Sequence, residues 1–276
     1  MRIVSLQPGC TEIVCALGCA ERLAGRSHEC DFPAEIRSVP ICAASRLREL
    51  RPDVILTQAQ DEAGAASLAE LEQALPAAPA RRPRIISIAP LRLADVWADM
   101  QRIADALGVS EAGRAVLWRL KNRVVDIIQH TCLLRKRPSV ACLEQCDPLM
   151  AAGRWVPEMV ELAGGHDALG APGRPSARLQ WEALTQADSD MIVLMPRGLG
   201  LERARGAAAA LDSRPEWRNL RAVKSRNVFI TDGNHYFHRP GPRAVESIEI
   251  LAEMLHPKLF AFGHETRNWA RLKEAQ

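Results

Sequence analysis

From Leu91 to Lys136 the chain contains no proline, although the whole sequence holds 18. Within that run apolar residues fall at 93, 96, 100, 103 and 107, and again at 116, 117, 120, 124, 127 and 128. This is the spacing of an amphipathic helix. The run is interrupted at Gly108. A simple strand–helix–strand crossover needs only a dozen or more residues, so a helical span of this length reads as a rigid spine joining two lobes.

The flanks support that reading. Before the spine, residues 2–6, 22–27, Val54–Thr57 and 84–88 are short β-branched runs bounded by turn residues, the signature of buried strands. Thr11 with Glu12 opens a helix that stops at Gly18, and residues 66–75 have helical spacing up to Pro76. After Pro138 the rhythm restarts, with strands at 139–143, 191–195 and 227–231 and helices at 156–162 and 244–255. Strands alternating with helices predict a parallel α/β sheet on each side. Asp53-Val-Ile-Leu-Thr-Gln and Asp190-Met-Ile-Val-Leu-Met-Pro echo one another across the spine, consistent with two similar lobes. The expected boundaries are 1–90, 91–137 for the spine, and 138–276.

Composition bounds the function. Of 276 residues, 47% are hydrophobic and 25% charged, which is ordinary globular usage. No stretch approaches the roughly 18–20 apolar residues that span a bilayer. A net charge of +3 gives no bulk attraction to nucleic acid or to an anionic membrane. No apolar leader follows Met1, so the expected location is the cytoplasm, or the periplasm if the sequence is a processed mature form. The eight cysteines form no Cys-x-x-Cys pair and are expected as free thiols. A phosphate loop, a nucleophile elbow, a His-Glu-x-x-His helix and a Gly-x-Gly-x-x-Gly turn after the first strand are all missing. The expectation is therefore a binding protein, not an enzyme, with no cofactor of its own.

In open α/β sheets, ligands bind beyond the carboxyl ends of the strands. Four loops there carry chemistry. Ser27-His28-Glu29-Cys30-Asp31 combines an imidazole, carboxylates and a thiol, so His28 is a candidate metal ligand and Cys30 a soft ligand or nucleophile. The same stretch would also serve as a plain polar turn. Residues 232–243 hold the single Tyr, a Phe, two His and two Arg. Aromatics with a few polar groups suit a large, flat, partly apolar ligand. From this loop Asn234, Tyr236, Arg239 and Arg243 are the candidates; a capping loop is the alternative. Trp155, just before a helix that starts near Pro157, reads as an exposed stacking surface. Gln58 and Gln60, after the third strand, can donate to amide or carboxylate groups.

Taken together, Arg2-Ile-Val-Ser-Leu-Gln-Pro-Gly-Cys-Thr-Glu-Ile, Gly25-Arg-Ser-His-Glu-Cys-Asp-Phe-Pro, Leu50-Arg-Pro-Asp-Val-Ile-Leu-Thr-Gln, the run from Asp147 to Gly165 and Arg239-Pro-Gly-Pro-Arg resemble a known family. It is the substrate-binding proteins for iron-siderophores, haem and cobalamin, two Rossmann-like α/β lobes bridged by a long helix. The likeness is nearest to the cobalamin branch. The resemblance implies a monomer that holds a corrinoid flat in the cleft between two lobes without turnover. His28, Glu29, Cys30, Gln58, Gln60, Trp155, Asn234, Tyr236, Arg239 and Arg243 would then be contacts, and His28 a candidate axial ligand to cobalt. It also implies an ABC permease as partner, or an intracellular corrinoid carrier. The alternatives are haem or siderophore binding, or a cytosolic enzyme working through His28 and Cys30.

Overall fold

The structure, a computed structural model, describes residues 1–42, 46–58, 75 and 82–272. The chain divides into two compact units. The first comprises Met1–Pro90, Ala94–Arg119 and Pro240–Pro242; the second comprises Leu91–Leu93, Leu120–Arg239 and Arg243–Gln276.

The first unit carries β1 (Ile3–Ser5), α1 (Pro8–Ala16), β2 (Leu23–Arg26), α2 (Leu47–Leu50), β3 (Val54–Gln58) and β4 (Arg84–Ile88). The strands form a parallel sheet in the order β2-β1-β3-β4. β1 and β3 are buried along their whole length, as the near-continuous apolar runs of a parallel sheet require. α1 starts earlier than the Thr11 expected from sequence. Pro8 occupies its first turn, where a missing N–H costs nothing, and the Gln7 side chain caps it by accepting from the Cys10 N–H. Most of the helix expected at 66–75 lies outside the described residues.

The expected spine consists of two helices, α3 (Leu93–Ala106) and α4 (Ser110–Thr131). Gly108, at φ +72°, takes the left-handed conformation that ends the first of them. The predicted periodicity is otherwise observed: Val96, Met100, Ile103, Leu107, Val116, Leu120, Val124 and Ile127 are buried. α4 begins in the first unit and ends in the second.

The second unit contains β5 (Ser139–Cys146), β6 (Leu149–Ala151), α5 (Val156–Leu162), β7 (His166–Asp167), β8 (Ala177–Arg178), α6 (Trp181–Ala187) and β9 (Met191–Leu194). It continues with α7 (Leu201–Asp212), α8 (Pro215–Asn219), α9 (Arg221–Lys224), β10 (Val228–Thr231), α10 (Ala244–Leu255) and β11 (Trp269–Arg271). Its sheet runs β11-β10-β9-β5-β6-β8, with β7 also on β5. β5, β9 and β10 are parallel, whereas β6 runs antiparallel to both its neighbours, β5 and β8, and β11 runs antiparallel to β10. The core between this sheet and its helices includes Leu143, Ile192, Leu194, Trp217, Leu220 and Ile230. Each such aliphatic side chain, once buried, contributes roughly 1.5–3 kcal/mol.

The echo in the sequence has a structural counterpart. The Asp53 carboxylate, just before β3, accepts the Arg2 N–H at the head of neighbouring β1. Asp190, just before β9, accepts the Ser139 N–H at the head of neighbouring β5. Both pairs are 51 residues apart. Each unit thus clamps two adjacent parallel strands at their amino ends with the same charged hydrogen bond, leaving the opposite, carboxyl ends for loops.

All eight cysteines are free thiols; Cys132 is the exposed one, Cys15 is half-buried and the other six are buried.

Candidate functional site

At the carboxyl end of the first sheet, the loop after β2 is organised by one buried cation. Arg26 donates through Nε to the carbonyls of Ile36 and Val39, through Nη1 to those of Ser27 and Cys30, and through Nη2 to that of Arg37. A planar, permanently charged fork with five donors suits this task as no other side chain does. Sequence reasoning missed it; the signal was an Arg closing an otherwise apolar strand.

This scaffold splits the Ser27–Asp31 cluster in two. Cys30 turns inward and is fully buried, its Sγ 3.0 Å from Thr11 Oγ1 and 3.4 Å from Ser27 Oγ. The nucleophile reading of Cys30 is thereby corrected, since a thiol with no solvent access cannot meet a substrate. His28 and Glu29 point outward and are exposed. Among the described residues no hydrogen bond or ion pair engages the His28 ring. Gln58, at the end of β3, is also buried and accepts from Gln7 Nε2 at 2.7 Å. Gln7 therefore bridges two strand ends while capping α1. Gln60 lies outside the described residues.

In the second unit, residues 232–243 are densely cross-braced. Asp232 Oδ1 accepts the N–H groups of Asn234 and His235, both at 3.0 Å, and Oδ2 lies 2.7 Å from His235 Nδ1. Burial pushes the Asp232 carboxyl up, but these bonds and the His235 charge outweigh it and hold it below the usual range. His238 faces elsewhere, with Nε2 2.7 Å from the Met195 carbonyl and Nδ1 3.8 Å from Glu144 Oε2. The two histidines do not converge, and no group of three or more metal-ligating side chains occurs among the described residues.

Tyr236, Arg239 and Arg243 are all buried. The Arg243 guanidinium sits over the Tyr236 ring, 5.4 Å from its centroid, as a cation–π pair. Burial, with the Glu246 charge adding to it, pushes the Tyr236 hydroxyl up to about 12. Arg239 Nη2 donates to Asn234 Oδ1 at 3.2 Å.

Phe237 adopts φ +69°, in the left-handed region that a bulky side chain rarely enters. It is pinned on both sides: its N–H donates to Ser247 Oγ at 3.0 Å, and its carbonyl accepts from Trp155 Nε1 at 2.8 Å. Trp155 is only 2% exposed. This corrects the expectation of an exposed stacking surface. An indole standing before a proline-started helix looks like a platform in sequence, but here its N–H finds a buried carbonyl 82 residues away, a pairing no local pattern encodes. Gly233 is required by close approach, since a Cβ there would collide with the Pro196 backbone.

Two α/β units, each with chemistry-bearing loops at the carboxyl ends of its parallel strands, define a two-lobed α/β binding-protein architecture. The chain belongs to the periplasmic binding protein family, which matches residues 3–234. It is 24% identical over 271 residues to the uncharacterized ABC transporter substrate-binding lipoprotein YvrC of Bacillus subtilis, covering 94% of this chain and 81% of that one. It is 22% identical over 263 residues to the vitamin B12-binding protein of Photorhabdus laumondii, covering 93% and 88%. The fold superposes with a TM-score of 0.76 on a periplasmic heme binding protein from Pseudomonas aeruginosa, at 22% identity and covering 93% and 92%. No helix among the described residues is long and apolar enough to cross a membrane.

Proposed function

We propose that the protein is a non-catalytic substrate-binding component of an ABC-type importer whose ligand is a corrinoid, cobalamin or a close relative. The observation that carries the reading is His28. It is an exposed imidazole with no partner among the described residues, raised on a loop that Arg26 locks in place. A neutral imidazole so presented is suited to coordinate a metal held in a tetrapyrrole. The similarity to a vitamin B12-binding protein over 93% of the chain supports cobalamin as the first ligand to try.

Asn234, Tyr236, Arg239 and Arg243 would act mainly by shaping the loop of the second unit, with the Arg239–Asn234 and Arg243–Tyr236 pairs offering amide- and carboxylate-directed edges. Haem is the second reading, favoured by the likeness to the Pseudomonas heme binding protein, and an axial histidine would serve it equally. In either case an ABC permease is the implied partner, by similarity to the Bacillus substrate-binding lipoprotein.

The test is to mix the purified protein with hydroxocobalamin and, separately, haemin, desalt, and record visible spectra. Co-elution of cobalamin with a band shift lost in His28→Ala is the expected result. Co-elution without a shift would remove His28 as the axial ligand. Haemin alone co-eluting would replace the corrinoid, and a colourless protein with both would overturn the tetrapyrrole reading.

A further inference from the structure

We infer that one end of the second unit, built from residues 130–137 and 256–264, is a surface that seats on an anionic phospholipid bilayer. Three large apolar side chains stand out there: Leu133 at 80% exposure, Leu259 at 50% and Phe262 at 44%. Monomeric proteins seldom gather such side chains without a use. The two segments adjoin. The His130 ring meets Phe260 edge-on at 5.7 Å, Phe260 stacks on Phe262 at 5.6 Å, and His256 Nε2 lies 3.1 Å from the Gly164 carbonyl beside Thr131 and Leu134.

The apolar tips do not sit on a floppy loop. Glu253, buried on α10, accepts the N–H groups of Gly263 and His264 and the indole N–H of Trp269. His264 Nε2 in turn lies 3.1 Å from Glu249, which Arg123 grips with two hydrogen bonds. The presentation of Phe262 is therefore preorganised.

Charge selects the occupant. Arg135, Lys136, Arg137 and Lys258 are exposed on the same two segments. Both carboxylates on the neighbouring α5 are already engaged, Glu161 by Arg137 and His166 and Glu158 by Arg92. A cationic rim around protruding Leu and Phe is the pattern of an interfacial membrane contact, in which apolar tips enter the headgroup layer and the cations meet lipid phosphates. The modest net charge of +3 conceals this local excess. A protein partner for such a surface would need an acidic rim around an apolar socket, whereas a bilayer of anionic lipid supplies both without a shape match. The inference does not depend on the identity of the ligand bound elsewhere.

The full chain should co-sediment with sucrose-loaded vesicles of phosphatidylcholine containing one-third phosphatidylglycerol, and not with phosphatidylcholine alone. Each cation near such a surface is worth about fivefold in partitioning. Arg135→Glu with Lys136→Glu should therefore cut binding at least tenfold, and high salt should do the same. Leu133→Ser with Phe262→Ser should abolish the residual, salt-resistant binding. All four positions are exposed, and unchanged melting curves will show that the variants remain folded. Binding that is absent, indifferent to lipid charge, or unaltered in both double variants overturns the inference. So does retention by permease in lipid-free detergent with none by vesicles, which would make the surface a protein-docking face.

Discussion

Replacing Trp155 by Phe separates an internal brace from a surface platform. The indole N–H is the partner of the Phe237 carbonyl, and Phe cannot replace it. An orphaned buried carbonyl costs about 1–3 kcal/mol. The smaller ring leaves a void in a site only 2% exposed, adding about 1 kcal/mol. The expected loss is therefore about 2–4 kcal/mol. Phe237, held at φ +69° from both sides, is the residue that should relax once its carbonyl is released. By calorimetry the second unit's transition should fall by roughly 5–15 °C, on the usual 2–4 °C per kcal/mol for a unit of this size. Trp155→Ala should be worse. If Trp155 were instead a stacking platform, Trp155→Phe would keep its melting temperature and lose only ligand affinity. A melt within the error of wild type would refute the brace.

Four further outcomes are expected. Arg26→Lys should destabilise the first unit by about 2 kcal/mol or more, because one ammonium cannot serve five carbonyls; denaturant titration by circular dichroism reads it. Gly233→Ala should cost about 1–3 kcal/mol through collision with the Pro196 backbone, seen as a lowered melting temperature. Glu249 is depressed: burial opposes its charge, but the bonds from His264 and Arg123 win. Its stabilising contribution is therefore present above the ordinary carboxylate range and is lost as pH falls through its lowered value. Glu249→Gln should accordingly be less stable than wild type at pH 7, with the gap closing as the solution is acidified. His256 runs low chiefly from burial, with Arg137 adding to it. Neutral His256 thus stabilises the fold above the ordinary imidazole range, and melts of His256→Gln should lose part of the weakening that wild type shows as pH drops below it.

Much of this architecture is legible in the sequence because parallel strands are short apolar runs and their helices keep a period of 3.6. Val54–Thr57 and Met191–Leu194 announce themselves in that way. β6, β8 and β11 do not, because strands of two or three residues carry no period. The break at Gly108 was visible, but whether it would be tolerated or would end a helix depends on backbone geometry. At the candidate site the loops were legible and the directions of their side chains were not. Cys30 and His28 stand two residues apart, and only the five carbonyls gathered by Arg26 decide which faces inward. Trp155 shows the same limit, since its partner is remote in sequence.

The distribution of thiols makes the protein a ready-made single-site reporter. Burial pushes the Cys15 and Cys146 thiols up to about 11 and raises those of Cys10, Cys19, Cys42 and Cys142 as well. Cys132 alone is exposed. A maleimide dye added to the native chain near neutral pH will therefore mark one position with no prior mutagenesis. That position adjoins Leu133, so an environment-sensitive fluorophore placed there would report directly when this end of the molecule leaves water.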